Sequence, residues 1–311
     1  MKVVRFNSFW LMLVLGMVIT IMASCKKDEE SENVTITCTQ AYYPTDNVEI
    51  LHYAVDNHRG YNDDTNHRDR IRTYIESCIW TADGVPGIVR FFLIFDLSDY
   101  YNTKKTLIRN TSLYLYGHPT YQDHSSNKLN KHVFNRVVGD WPQIFSWNNQ
   151  PNIDETTNVI TDHIPGTLNE PRRDNYVFNL NNILLKNGRL QADYKGISCR
   201  PYHEDINDYY RRVTFASRDF DDESFFPTLK VGYAFPLPKI KFGNNVFRVT
   251  NNEDLNALFK NVQYVWTING VEKTGENVHF ESKDKPYTVY LQIIITNNIG
   301  EVSEYGISKT F

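Results

Sequence analysis

Between Val34 and Tyr233 apolar side chains recur at every second position, in short runs closed by Asn, Asp, Gly or Pro clusters. In Arg90-Phe91-Phe92-Leu93-Ile94-Phe95-Asp96-Leu97, the side chains of Phe91, Leu93, Phe95 and Leu97 fall on one face. Leu113 and Leu115 oppose Tyr114 and Tyr116, Val213 and Phe215 repeat the pattern, and Leu229, Val231 and Tyr233 close the region. A period of two is the period of an extended strand, with one face on a core and the other toward solvent or a second sheet. Strands at this spacing predict a β-sandwich. The best helix candidate, Leu180 to Leu185, is a turn or two long.

The pattern restarts after Pro236-Leu237-Pro238, where two prolines end a ladder and stiffen the connection. Gln263-Tyr264-Val265-Trp266-Thr267-Ile268 runs into Asn269-Gly270, a type I′ hairpin dipeptide. Tyr287, Val289, Leu291, Ile293 and Ile295 then share a face. An early strand with a buried-type Trp and a strongly apolar late strand predict a small immunoglobulin-like sandwich. The expected class is therefore all-β: a jelly-roll-like sandwich over residues 34–233 and an immunoglobulin-like one over 238–311.

The first residues say where such a chain works. A positive tip at Arg5, an apolar run from Phe9 to Ala23 and Met22-Ala23-Ser24-Cys25 have the layout of a secretory signal. The run is shorter than the roughly 20 residues a spanning helix needs. Met22 to Cys25 resembles a bacterial lipobox, which implies that residues 1–24 are removed and Cys25 is the lipid-attachment site. Residues 25–33 then form a tether to the outer membrane. Lys27-Asp28-Glu29 resembles the export tag of Bacteroidetes lipoproteins that face the cell exterior.

A net charge of −4 supplies no field for nucleic acid. Cys38, Cys78 and Cys199 remain once Cys25 is lipidated, which allows one disulfide or none. Histidines at 52, 58, 67, 118, 124, 132 and 203 are scattered among carboxylates, but there is no nucleophile motif, HExxH or phosphate loop. The expectation is a chain that is not an enzyme. No cofactor is implied. Two oxygen-rich loops, Asn62-Asp63-Asp64 with Asn66 and Asp219 with Asp221, Asp222 and Glu223, carry donors that suit a structural calcium, without EF-hand spacing.

Twenty Tyr, 18 Phe and 5 Trp are many for an extracellular chain of this length. Most belong to strand cores, yet ring faces also cover the apolar C–H faces of sugars. Arg200-Pro201-Tyr202-His203 and Tyr209-Tyr210-Arg211-Arg212 combine rings with guanidinium groups, whose forks match carboxylates. Arg200, Tyr202, Tyr209, Tyr210, Arg211 and Arg212 are thus the candidate ligand residues. Alternation puts Tyr209 with Arg211 on one face and Tyr210 with Arg212 on the other.

Four stretches in order resemble the DNRLRE family, a carbohydrate-binding module family with alginate-binding members. They are Arg90 to Ser98, Ser112 to Tyr116, Trp141 through Ser146-Trp147-Asn148-Asn149-Gln150-Pro151, and Phe215-Ala216-Ser217-Arg218-Asp219 before Pro227-Thr228-Leu229. Phe226 stands where the family has an arginine. The tail, through Tyr264 to Thr267, Asn269-Gly270 and Thr296-Asn297-Asn298-Ile299-Gly300, resembles a PKD domain. These likenesses imply a surface lipoprotein that binds an extracellular polysaccharide, uronate-containing if the family habit holds, beside glycan-uptake machinery. The alternative is a structural or adhesive surface protein without a glycan ligand. Trp147 is expected to be packed, with the neighbouring Asn side chains fixing a turn through backbone bonds.

Overall fold

The computed structural model describes residues 35–55, 62–67, 72–119, 124–125, 129–164, 175–207, 210–282 and 285–311. The signal segment 1–24, the tether 25–33 with Cys25, and Tyr209 lie outside the described residues. The chain is nearly all β, in antiparallel sheets. Among the described residues no helix is long and apolar enough to cross a membrane.

In the first sandwich one sheet has the order β1 (Thr35–Tyr42), β14 (Thr228–Pro236), β5 (Leu107–Tyr116) and β9 (Asn175–Asn179). The opposing sheet runs β6 (His124–Ser125), β13 (Arg211–Ala216), β3 (Tyr74–Ala82), β4 (Val85–Phe95), β12 (Gly196–Pro201), β7 (His132–Val137) and β8 (Ile153–Ile160). Strand β2 (Pro44–Tyr53) also pairs with β4. Helices α1 (Ser98–Tyr101) and α2 (Asn181–Leu184) and the hairpin of β10 (Leu185–Lys186) and β11 (Arg189–Leu190) fill the connections.

The alternation seen in the sequence is the packing. Phe91, Leu93 and Phe95 of β4 meet Leu113, Leu115, Val231 and Tyr233 of the other sheet in one core, all at most 1% exposed. Each such side chain contributes about 1.5–3 kcal/mol by leaving water. Phe92 points to the opposite face, where Val48, Ile50, Val137 and Phe145 form a second, smaller cluster. Strand β4 is therefore covered on both faces, which is why its sequence is an almost unbroken apolar run.

The tail packs β15 (Lys239–Gly243), β16 (Val246–Thr250) and β19 (Asn277–His279) against β18 (Val271–Thr274), β17 (Asn261–Ile268), β20 (Thr288–Thr296) and β21 (Val302–Thr310). Helix α3 (Glu253–Leu258) lies between β16 and β17 in the chain. Trp266 is fully buried, and its ring N–H donates to the Gly275 carbonyl at 2.6 Å. The expected turn at Asn269-Gly270 has both residues at positive φ, 48° and 84°. Asp83-Gly84, Asn187-Gly188 and Asn244-Asn245 make the same kind of two-residue hairpin at β3–β4, β10–β11 and β15–β16.

Residues 35–311 form one compact unit, and the apolar core continues from the first sandwich into the second. The junction is more than the proline connection. Phe235 meets Phe259 at 5.8 Å between ring centroids, Asn297 donates to the Thr39 carbonyl at 2.9 Å, and Lys230 pairs with Glu301 at 3.2 Å.

Candidate functional site

Strands β3 and β4 leave their shared hairpin paired from Ala82–Val85 to Cys78–Val89, and the pairing ends there. Beyond it β3 keeps β13 along one edge, with Phe215 opposite Ile75. On the side β4 has left, the Glu49 carboxylate of β2 serves as partner: its Oε1 accepts the Glu76 amide at 2.5 Å. A side chain thus satisfies a backbone donor that lost its strand.

The parting opens a crevice of about 340 Å³ between β2, β3 and β4. Glu49, Leu51 and Tyr53 line it from β2; Tyr74, Glu76, Cys78 and Trp80 from β3; Gly87 and Val89 from β4. Each set is spaced by two, as one face of a strand requires. His67, Arg72 and the hairpin residues Thr81, Ala82 and Asp83 complete the wall. Gly87 is needed at the floor, because a Cβ there would stand 2.8 Å from the Tyr53 ring and 2.9 Å from the His52 carbonyl oxygen.

Among the described residues two carboxyls and two guanidinium groups set the electrostatics. Arg72 donates to Glu49 Oε2 at 2.8 Å and to the Tyr74 hydroxyl at 3.4 Å. Burial, reinforced by the Glu76 charge, outweighs Arg72 and pushes Glu49 up to about 8. Glu76 is likewise raised by burial, against the pull of Arg212 and Arg72. His67 is held down at about 4 by burial and by Arg72, so its imidazole is neutral at pH 7. Arg212 lies over the Trp80 ring at 5.1 Å, and Tyr210 meets the same ring edge-on at 5.1 Å.

Arg200, Tyr202, Tyr210, Arg211 and Arg212, the candidate ligand residues that the structure describes, do not form one patch. Tyr210 and Arg212 flank Trp80 at the crevice. Tyr210 is 40% exposed, and its φ of 73° turns the chain just before β13. Arg211 points inward, 3% exposed, and donates to the His203 carbonyl at 2.8 Å. Arg200 faces Glu204 and Glu155 at 3.7 and 3.8 Å, away from the crevice lining. Tyr202 stands beside His203 on the stretch after β12. Sequence reasoning passed over Glu49, Glu76 and Trp80; Arg72 and His67 were not singled out as ligand residues either. The one available signal was a charged Glu alternating with strand apolars at 49 and 76.

The Trp-Asn-Asn-Gln stretch supports the wall instead of offering a platform. Trp147 is half-buried and carries the Arg90 guanidinium at 4.3 Å and the His52 ring, stacked at 5.1 Å. Arg90 is itself bound by Glu204 and by Gln150. Asn149 donates to the Ile144 carbonyl and so closes the turn. That turn grips residues 62–67: the His67 amide donates to the Phe145 carbonyl, the Phe145 amide to Asn66 Oδ1, and the Asn148 amide to the Asp63 carbonyl.

Three carboxylates of the oxygen-rich loops accept hydrogen bonds within the chain. Asp63 accepts from His52 at 2.7 Å, Asp64 accepts from Asn148 at 3.0 Å, and Asp222 caps Ser224 at 2.9 Å. No group of three or more His, Cys, Asp or Glu residues is arranged to hold a metal ion among the described residues. Cys38, Cys78 and Cys199 are buried free thiols.

No family model matches the sequence, and no curated protein matches it. Among solved structures, a β-glucuronidase from Ruminococcus gnavus in complex with uronic deoxynojirimycin gives a TM-score of 0.19 at 8% identity, over 92% of this chain and 46% of that one. The glycoside hydrolase domain of Endo-D from Streptococcus pneumoniae R6 gives 0.16 at 10% identity, over 89% and 37%. The chain spans less than half the length of these structures. Likeness at such scores carries no argument about fold or chemistry.

Proposed function

We propose that this chain is a lipoprotein, anchored through Cys25 to the outer membrane, that holds an extracellular polysaccharide at the β2–β3–β4 crevice without cleaving it. The observation that carries the reading is Trp80, a ring at the crevice flanked by Arg212 and Tyr210. A flat ring covers the C–H face of a sugar, and a guanidinium recognises a uronate carboxylate. The volume of about 340 Å³ lies at the small end of the roughly 300–1,000 Å³ typical of ligand pockets. The DNRLRE resemblance and the export-tag resemblance point the same way. Both carboxyl oxygens of Glu49 are engaged by the chain itself, which fits a binding role better than acid–base chemistry.

Affinity electrophoresis of the full chain in gels carrying uronate or neutral polysaccharides tests the reading. Retardation by an acidic polysaccharide, lost in Trp80→Ala and Arg212→Ala, supports it. A chain that no polysaccharide retards is instead the structural or adhesive surface protein.

A further inference from the structure

We infer that the crevice accepts an acidic saccharide only while the Glu49–Glu76 pair holds a proton, so that alkaline surroundings release the ligand. The inference rests on the crevice being the glycan site and adds how that site is regulated.

The fold fixes a set of charged groups around the crevice. The Glu49 carboxylate of β2 receives the Glu76 amide at 2.5 Å and Arg72 at 2.8 Å. From β3 the pair is faced by the Tyr74 hydroxyl, which accepts from Arg72, and by the Cys78 thiol, which burial keeps protonated. From β13 comes Arg212, lying over Trp80. From the 62–67 segment comes His67, neutral at pH 7. Strand β2 also presents Tyr53, strand β4 presents Gly87 and Val89, which bear no charge, and Asp83 stands exposed at the hairpin end.

Among the described residues two arginines therefore face two carboxyls. With both carboxyls ionised the charges cancel, and an incoming uronate would be a third anion beside the pair. One proton changes both terms: it leaves one positive charge for the ligand, and it turns an acceptor oxygen into an O–H donor. Burial and the neighbouring charge already push Glu49 up to about 8, so the proton is present at neutral pH.

By linkage, a ligand that needs a bound proton loses affinity by up to roughly tenfold per pH unit once the free site has lost it. For the detergent-solubilised full chain and a hexuronic acid tetrasaccharide, titration calorimetry is expected to give level affinity from pH 5 to 7 and a fall from pH 8 to 9.5. At the alkaline end, buffers of different ionisation enthalpy should report uptake of up to one proton per ligand. A neutral tetrasaccharide of glucose should show no such slope. Glu76→Gln, which leaves one carboxyl against two arginines, should hold the uronate at pH 9 as it does at pH 6. Uronate binding that is flat or strengthens with rising pH overturns the inference and leaves the glycan reading standing. An unchanged slope in Glu76→Gln does the same, and the buffer comparison on the native chain decides if that variant does not fold. Binding of neither saccharide at any pH overturns both.

Discussion

Asp254 Oδ2, at the start of α3 in the tail, accepts both the amide of Thr106 at 2.9 Å and its hydroxyl at 3.0 Å, across the junction of the two sandwiches. The same carboxylate takes the amides of Lys104 and Lys105. Burial pushes Asp254 up, but these four donors outweigh it and hold the group below the ordinary aspartate range. Asp254→Ala leaves three backbone donors and a hydroxyl unanswered and is expected to cost about 2 kcal/mol, read as a lower urea midpoint. Because the folded group is depressed, its stabilisation is complete above the unfolded value of 3.8 and is lost as pH falls through the lower folded one.

The crevice carboxyls act in the opposite sense. Glu49 is raised from 4.5 to about 8, so between those values the folded chain holds a proton that the unfolded chain has released. Stability from this group is full below 4.5 and declines as pH climbs to 8. Thermal unfolding should therefore occur at a lower temperature at pH 8 than at pH 5.5. Glu76→Gln, which removes the charge acting on Glu49, should shrink that difference.

Trp147 is a clamp. Trp147→Ala removes the ring that carries Arg90 and His52 and loosens the turn holding residues 62–67. A loss of about 2–3 kcal/mol is expected, below the full 3–5 of a wholly buried aromatic because the ring is half-buried. Chemical denaturation measures it. A stable Trp147→Ala chain that has lost polysaccharide retardation would make the ring a ligand platform instead.

Arg200→Ala separates the two arginine groups. Its guanidinium is tied to Glu204 and Glu155, outside the crevice lining, so polysaccharide retardation should be unchanged where Arg212→Ala abolishes it. Parallel gels of the two variants decide this.

Cys38, Cys78 and Cys199 are buried, and burial raises each thiol, Cys38 to about 11. The thiolate is the reactive form, so a maleimide reagent at pH 7.5 should leave all three unlabelled in the native chain and modify them in step with unfolding.

The strand alternation by itself determined which side chains enter the core. Phe91, Leu93, Leu113, Leu115, Val231, Leu291 and Ile293 are all buried as their spacing requires, and Asn269-Gly270 turns where it must. Local rules suffice there because a period of two and a left-handed dipeptide act within a few residues. The site obeyed no local rule. Nothing near Glu49 or Glu76 says that β3 parts from β4 beyond Cys78–Val89, or that a carboxylate replaces the missing strand. Arg211 and Arg212 are adjacent and chemically alike, yet one bonds the His203 carbonyl inside and the other lies over Trp80. Alternation separates the two faces of a strand but does not say which face another element covers. That choice belongs to register and strand order, which bring residues 49, 72, 76 and 80 to one crevice and Arg212 over the Trp80 ring, and only the tertiary structure makes it.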